Sequence, residues 1–307
     1  MNWRHKAFIQ KFISVFPNHE KLNYIFQKRV TKAVFLDDQH FGWKVEHARD
    51  HIAYFNENGS PNAESKVVEL GTGWYPIIPM LFFLTKTGKV MSYDIQNWMT
   101  KDNQLATIKK LKEWKDNGKL ESYISDIDEA NWKVLLDVLS NPEQYSFEDI
   151  NQVIGLSIHL KDASQSGLKE DSIDFICSNN TFEHIYPGVL KSILSEFKRI
   201  IKPEGVMSHF IDMSDHFAHS DPSITIYNFL GFSKKQWDFI DNKIQPQNRL
   251  RFKDFISIYN DLGIPVTETE TREGDLDALK RTKVHPEFAG YSAEELAISH
   301  CYIVSKI

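Results

Sequence analysis

"VVELGTGWYPIIP", Val67 to Pro79, passes from an apolar run through two glycines into a proline and an apolar helix start. A strand, a glycine-rich turn and a helix in this order make a nucleotide site at the carboxyl edge of a parallel sheet. The turn reads Gly71-Thr72-Gly73-Trp74-Tyr75-Pro76, so proline stands where a G-x-G-x-x-G fingerprint would carry its third glycine. Glu69 is more telling. A carboxylate just before the turn repels a pyrophosphate at the helix N-terminus, where anions are otherwise favoured. The same carboxylate suits a cation.

S-adenosylmethionine (SAM) carries a sulfonium and an ammonium group and no phosphate, which favours it over a nicotinamide dinucleotide. Two further carboxylates fall where such a cofactor needs them. Asp94 closes the next strand-like run, where an acid can accept hydrogen bonds from both ribose hydroxyls. Asp162 follows the third run in "HLKDAS", placed to accept the adenine amine while the N–H of Ala163 meets a ring nitrogen. Three acids at the ends of successive strands are hard to ascribe to coincidence.

Outward from the turn, short apolar runs alternate with longer amphipathic ones. "KVVELG", "KVMSYDI", "VIGLSIHLKDA", "SIDFICSNN" and "VMSHFIDM" read as strands, and "PIIPMLFFLTKTG", "NQLATIKKLKEWKDNG" and "VLKSILSEFKRIIKPEG" as helices. This alternation predicts an α/β, doubly wound parallel sheet with right-handed crossovers. Residues 119–152 are too long for a loop and read as an insertion with a helix around Trp132 to Leu139. A second insertion is expected near 214–250. The first sixty residues repeat apolar side chains at helical steps, Phe8, Ile9, Phe12, Ile13 and Phe16, then Val45, Ala48, Ile52 and Phe55. They predict a helical lid over 1–60, with Phe41 and Trp43 above the cofactor, preceding a core over 61–307.

Composition limits the function classes. The 307 residues are 41% hydrophobic and 25% charged, which is globular composition, and the net charge of -6 gives no bulk reason to bind nucleic acid. Two cysteines, Cys177 and Cys301, are too few for a disulfide framework or a cysteine zinc site, which suits a reducing cytoplasm. They read as buried strand residues. "IIPMLFFL" falls far short of the ~20 apolar residues that span a bilayer.

The segments "VVELGTG", "VMSYDI", "KDAS", "DSIDFICSNNTFEHI" and "LSEFKRIIKPEGVMSHF" together resemble the class I, Rossmann-like SAM-dependent methyltransferases, from about Lys66 to Ile211 and again in the last strands. The resemblance implies a seven-stranded, mostly parallel sheet with its last strand antiparallel. Carried over by position, it places Glu69, Gly71, Thr72 and Gly73 around the methionine part of SAM. It puts Asp94 and Ile95 at the ribose and adenine, Asp162 and Ala163 at the adenine edge, and Asn179 near the sulfonium.

Methyl transfer needs alignment first and a base where the acceptor carries a proton. His184 in "TFEHI", and His216 and His219 in "SDHFAHSD", lie near the expected carboxyl edge as candidate bases, the latter two beside Asp215 and Asp221. Tyr227 stands in a polar, aromatic stretch suited to a pocket wall, and Arg249 and Arg251 are candidates to clamp an anionic acceptor. No metal is expected. The acceptor is expected to be a small or medium-sized molecule, such as a specialised metabolite or a sugar- or lipid-linked intermediate. A non-catalytic SAM-binding regulator and a nicotinamide-dependent dehydrogenase are the alternatives.

Overall fold

The computed structural model describes residues 1–16 and 36–307, so part of the expected N-terminal lid, 17–35, lies outside the described residues. The chain starts with α1 (Trp3–Ile13) and α2 (Asp38–Asn58). It continues through β1 (Lys66–Leu70), α3 (Ile77–Leu84), β2 (Lys89–Asp94), α4 (Lys101–Asp116), α5 (Glu129–Ser140), α6 (Phe147–Val153) and β3 (Leu156–Leu160). Then come β4 (Ile173–Asn179), α7 (Pro187–Ile200), β5 (Ile201–Asp212), α8 (Lys234–Ile240) and α9 (Phe252–Asp261). The chain ends with β6 (Glu268–Arg272), α10 (Leu276–Lys280), α11 (Ala293–Ala297) and β7 (His300–Lys306).

The strands form one sheet in the order β3-β2-β1-β4-β5-β7-β6. β1 runs parallel to β2 and β4, β2 to β3, and β4 to β5, while β7 is antiparallel to both β5 and β6. The strand order therefore reverses between β1 and β4. Ligands of open α/β sheets bind at such a switch point, and the glycine turn sits on it.

Both faces of the sheet are covered, which explains the nearly continuous apolar strands. Val67, Phe175, Cys177, Val206, Tyr302 and Val304 join one core cluster with α2 to α6, whereas Val68, Ile176, Met207, Cys301 and Ile303 join another with α7 and α9. Both cysteines are buried and free, on opposite faces.

Two differences from the sequence reading are local. α6 inside the 119–152 insertion is too short to show a helical period, and a Ser146 and Asp149 capping box starts it. β5 begins at Ile201, so the "KPEG" stretch is a kinked strand with Glu204 at φ 65° and a register shift opposite Ile173 and Phe175.

The larger difference is α2. Phe41, Val45, Ala48, Ile52 and Phe55 are all buried in the main core cluster, and His51 Nδ1 lies 2.9 Å from Ser208 Oγ on β5. α2 packs on α3, whose side chains are apolar on nearly every face, as well as on the sheet itself. It is a layer of the core rather than a cover laid over one. α1 belongs elsewhere, for the Trp3 ring packs on Phe217 and Phe232 and the Trp3 backbone N–H donates to Asp221. No described helix is long and apolar enough to cross a membrane.

Phe41 is fully buried and meets Trp114 edge-on at 4.9 Å. Phe41→Ala is expected to destabilise the fold by about 3–5 kcal/mol, the usual cost of emptying a buried phenylalanine site. Urea titration followed by far-ultraviolet circular dichroism measures this, and a loss below about 1 kcal/mol would return α2 to the status of a detachable cover.

Candidate active site

β1 delivers Glu69 to the core side of the turn, where it is buried and accepts a 2.5 Å hydrogen bond from Thr72 Oγ1. The same hydroxyl lies 2.6 Å from Ser92 Oγ on β2, so the turn is laced to two strands. Gly71 and Gly73 have φ of 78° and 71°, a region that non-glycine residues rarely adopt. At Gly71 a Cβ would also stand 2.6 Å from Thr181 Oγ1, which itself donates to the Leu70 carbonyl and ties the end of β4 to that of β1. At Gly73 a Cβ would meet nothing within 4 Å. The turn is open on that side.

The other expected cofactor residues lie at or just past the carboxyl ends of β2, β3 and β4. Asp94 is half-buried at the end of β2 and accepts from Gln96 N. Ile95 is 80% exposed, a bare apolar face beside that carboxylate. Asn179 is buried at the end of β4, with neither amide oxygen nor nitrogen hydrogen-bonded. Asp162 is exposed and caps the short turn over Ala163–Gln165 through Ser164 N.

Burial pushes Glu69 up to about 7, against the lowering effects of Thr72 and Lys44 and with some help from Asp94. Lys44 was not singled out from the sequence. It reaches in from α2, within electrostatic range of both Glu69 and Glu183, and burial lowers its own pKa. Burial likewise raises Asp94.

The three candidate histidines come together. The His184 and His216 rings are 4.9 Å apart and those of His216 and His219 5.1 Å. Their carboxylate partner is Asp212 at the end of β5, with Oδ2 3.2 Å from His216 Nε2. Asp215 and Asp221, the partners suggested by the sequence, are turned away. Asp215 accepts from Phe217 N and Asn228 Nδ2, and Asp221 from Trp3 N, Ser223 N and Ser223 Oγ. Burial opposes charge on His216, but Asp212, then Glu183 and Asp215, outweigh it and raise its pKa. His184 is lowered to about 4 by burial and by His216. Burial also pushes Glu183 up to about 8, with the charge of Asp212 adding to the rise.

The "QPQNRLRF" stretch acts as a clasp for this cluster. Pro246 O lies 2.7 Å from His184 Nδ1, and Asn248 Nδ2 donates to the carbonyls of Phe182 and Ile185. Gln247 Oε1 accepts from His216 N, and its Nε2 donates to Ser214 O.

The three expected acceptor contacts need correction. Arg251 is fully buried and donates to the carbonyls of Met213, Leu296 and Ile298. Arg249 donates to the carbonyls of Phe229 and Phe232 and pairs with Glu287 at 3.6 Å. Tyr227 is fully buried, its hydroxyl donating to Ala297 O and accepting from Asp275 N. These side chains staple the 214–250 insertion to the C-terminal segments; Arg251 and Tyr227 have no surface left for an acceptor, and Arg249 keeps only a small exposed part.

Residues 107–208 match the family model for a methyltransferase domain. That match spans about a third of the chain. Curated protein sequences give no match to it. Among solved structures, the chain is similar to a protein provisionally named a sarcosine dimethylglycine methyltransferase from Galdieria sulphuraria, at 14% identity, 85% coverage of each chain and a TM-score of 0.47. It is also similar to a SAM-dependent methyltransferase from Archaeoglobus fulgidus, at 12% identity and a TM-score of 0.43, covering 86% of this chain and 94% of that one. A geranyl diphosphate methyltransferase in complex with SAM aligns at 9% identity and a TM-score of 0.46, covering 90% and 94%. The residues at this sheet edge fit SAM. The unpartnered Asn179 amide, the open side of Gly73 and the buried Glu69 are what a cationic, phosphate-free nucleotide requires.

Since Glu69 holds its proton up to about pH 7 in the free enzyme, a bound cation should drive that proton off. The sign follows directly: SAM binding releases protons below about pH 7, and the release fades at higher pH, where Glu69 is already ionised. Calorimetric titration at pH 6 in buffers of different ionisation enthalpy measures it. Glu69→Gln should abolish the difference between buffers, and equal release by that variant would move the proton to another group. Asp94→Ala should weaken SAM by about ten- to a hundredfold, roughly 1.5–3 kcal/mol for a charged acceptor lost from two hydroxyls. An unchanged dissociation constant in a folded variant would remove Asp94 from the ribose.

Proposed function

We propose that the enzyme methylates a small or medium-sized acceptor that carries a proton on oxygen or nitrogen. The acceptor is held beside the ends of β4 and β5, and the cluster of Glu183, His184, His216 and His219 activates it. One observation carries the reading. Thr181, two residues before Glu183, donates to the Leu70 carbonyl and stands against Gly71, so the cofactor turn and the histidine cluster lie side by side at the same sheet edge.

In this reading Glu69, Gly71, Thr72 and Gly73 hold the methionine part of SAM, Asp94 the ribose, Ile95, Asp162 and Ala163 the adenine, and Asn179 the region near the sulfonium. SAM supplies the methyl carbon: its bond to sulfur breaks, the electron pair stays on sulfur, and the acceptor atom gains the methyl and loses its proton. The protein's own contribution is alignment and management of that proton. Asp212 pairs electrostatically with His216, and Pro246 O fixes the ring of His184. α2 covers the cleft and excludes water, since the Lys44 stem descends from it.

A non-catalytic SAM-binding protein would have the same cofactor turn but no need of an imidazole cluster buttressed by a buried carboxylate. The experiment is turnover with proton-bearing oxygen and nitrogen acceptors, read as released S-adenosylhomocysteine. His216→Ala is expected to lower the maximal rate by about a hundredfold or more, in the range that acid and base groups supply, while SAM affinity holds. A full rate in that variant would take the cluster out of the reaction, and absence of product from any such acceptor would favour the non-catalytic reading.

A further inference from the structure

We infer that Glu183, His184 and His216 bind a divalent first-row transition metal ion. Their ligand atoms all lie within 4.8 Å of one another. Donors on one such ion, at bonds of about 2.1 Å, stand up to ~4.2 Å apart, so small side-chain rotations complete the set. Two imidazoles and one carboxylate are the donor mixture such ions prefer over calcium or magnesium.

Three independent features prepare these groups for an ion. Glu183 is 2% exposed, and neither of its oxygens has a hydrogen-bond partner, a costly arrangement for a carboxylate unless a cation completes it. His184 Nδ1 faces the Pro246 carbonyl at 2.7 Å and so carries the proton there, leaving the Nε2 lone pair to coordinate. Asp212 Oδ2 lies 3.2 Å from His216 Nε2, an ion-pair contact without hydrogen-bond geometry, so a carboxylate stands beside that imidazole on the side away from its Nδ1. The Asn248 and Gln247 clasp holds both loops in register, so the donor set is preorganised.

Among the described residues, Lys44 on α2 opposes a cation there, since it interacts electrostatically with Glu183. Removing it should therefore tighten the ion. The ion would draw an acceptor oxygen toward itself and make it easier to deprotonate. That consequence rests on the transfer reading above, whereas the binding does not. Under this inference His216 serves as a ligand rather than as a free base.

The test uses the full-length protein freed of metal by chelator dialysis, then titrated with zinc or manganese chloride alone. Calorimetry and elemental analysis after gel filtration read the uptake. One ion per chain is expected. Glu183→Gln and His216→Ala should each weaken it at least tenfold with unchanged circular dichroism, Lys44→Met should strengthen it severalfold, and His159→Ala on β3 should leave it as in the wild type. Absence of stoichiometric uptake by the folded wild type would overturn the inference, as would wild-type affinity in Glu183→Gln or His216→Ala. SAM titration of the same metal-free protein is scored separately. A protein that binds SAM but no ion refutes only the metal site, and one that binds the ion but no SAM refutes only the cofactor assignment.

Discussion

A helix that is apolar on every side has to be covered on every side, and α3 is such a helix. It follows directly from the glycine turn, so its position sets where the turn opens. The sheet covers one flank, α2 a second and α5 of the insertion a third. Two segments that looked accessory are thus required by eight residues of apolar sequence. Because α2 must lie there, Lys44 descends into the cleft; because α5 must lie there, the chain needs its long excursion before β3. Packing demands and the shape of the active site have one origin.

The second organising force is charge. Glu69, Asp94, Glu183 and Asp212 all converge on the carboxyl edge of the sheet, three of them nearly excluded from solvent. Such groups keep their charge only when cations face them, and otherwise take up protons. Lys44 and His216 answer part of this demand and leave Glu183 without any hydrogen-bond partner. The carboxylates at this edge thus outnumber the cations that face them.

Much of this was legible in the sequence because a strand shows its period and its end. The apolar runs placed the strands, and the acids closing them, Glu69 and Asp94, reached the cleft because parallel strands all end at one edge. His184, His216 and His219 come together for the same reason, since each follows a strand that ends there. The partner carboxylate was misjudged. Asp215 is nearer to His216 in sequence, but Asp212, one helical-like step back on the strand end, is the group that faces the ring. Arg249, Arg251 and Tyr227 carried polar groups that suggested recognition, and only the fold shows that backbone carbonyls use them. Lys44 gave no signal of its own, because its meaning depends on two carboxylates that lie on other elements.

The two cysteines lie on opposite faces of the sheet, Cys177 beneath the layer that contains α2 and Cys301 beneath α7 and α9. The sheet separates them, so oxidation within the chain cannot link them without unfolding. Each is also a buried reporter confined to its own layer. A thiol reagent reaches Cys177 only when the α2 side opens and Cys301 only when the other side does, so the molecule carries two natural clocks for the breathing of its halves.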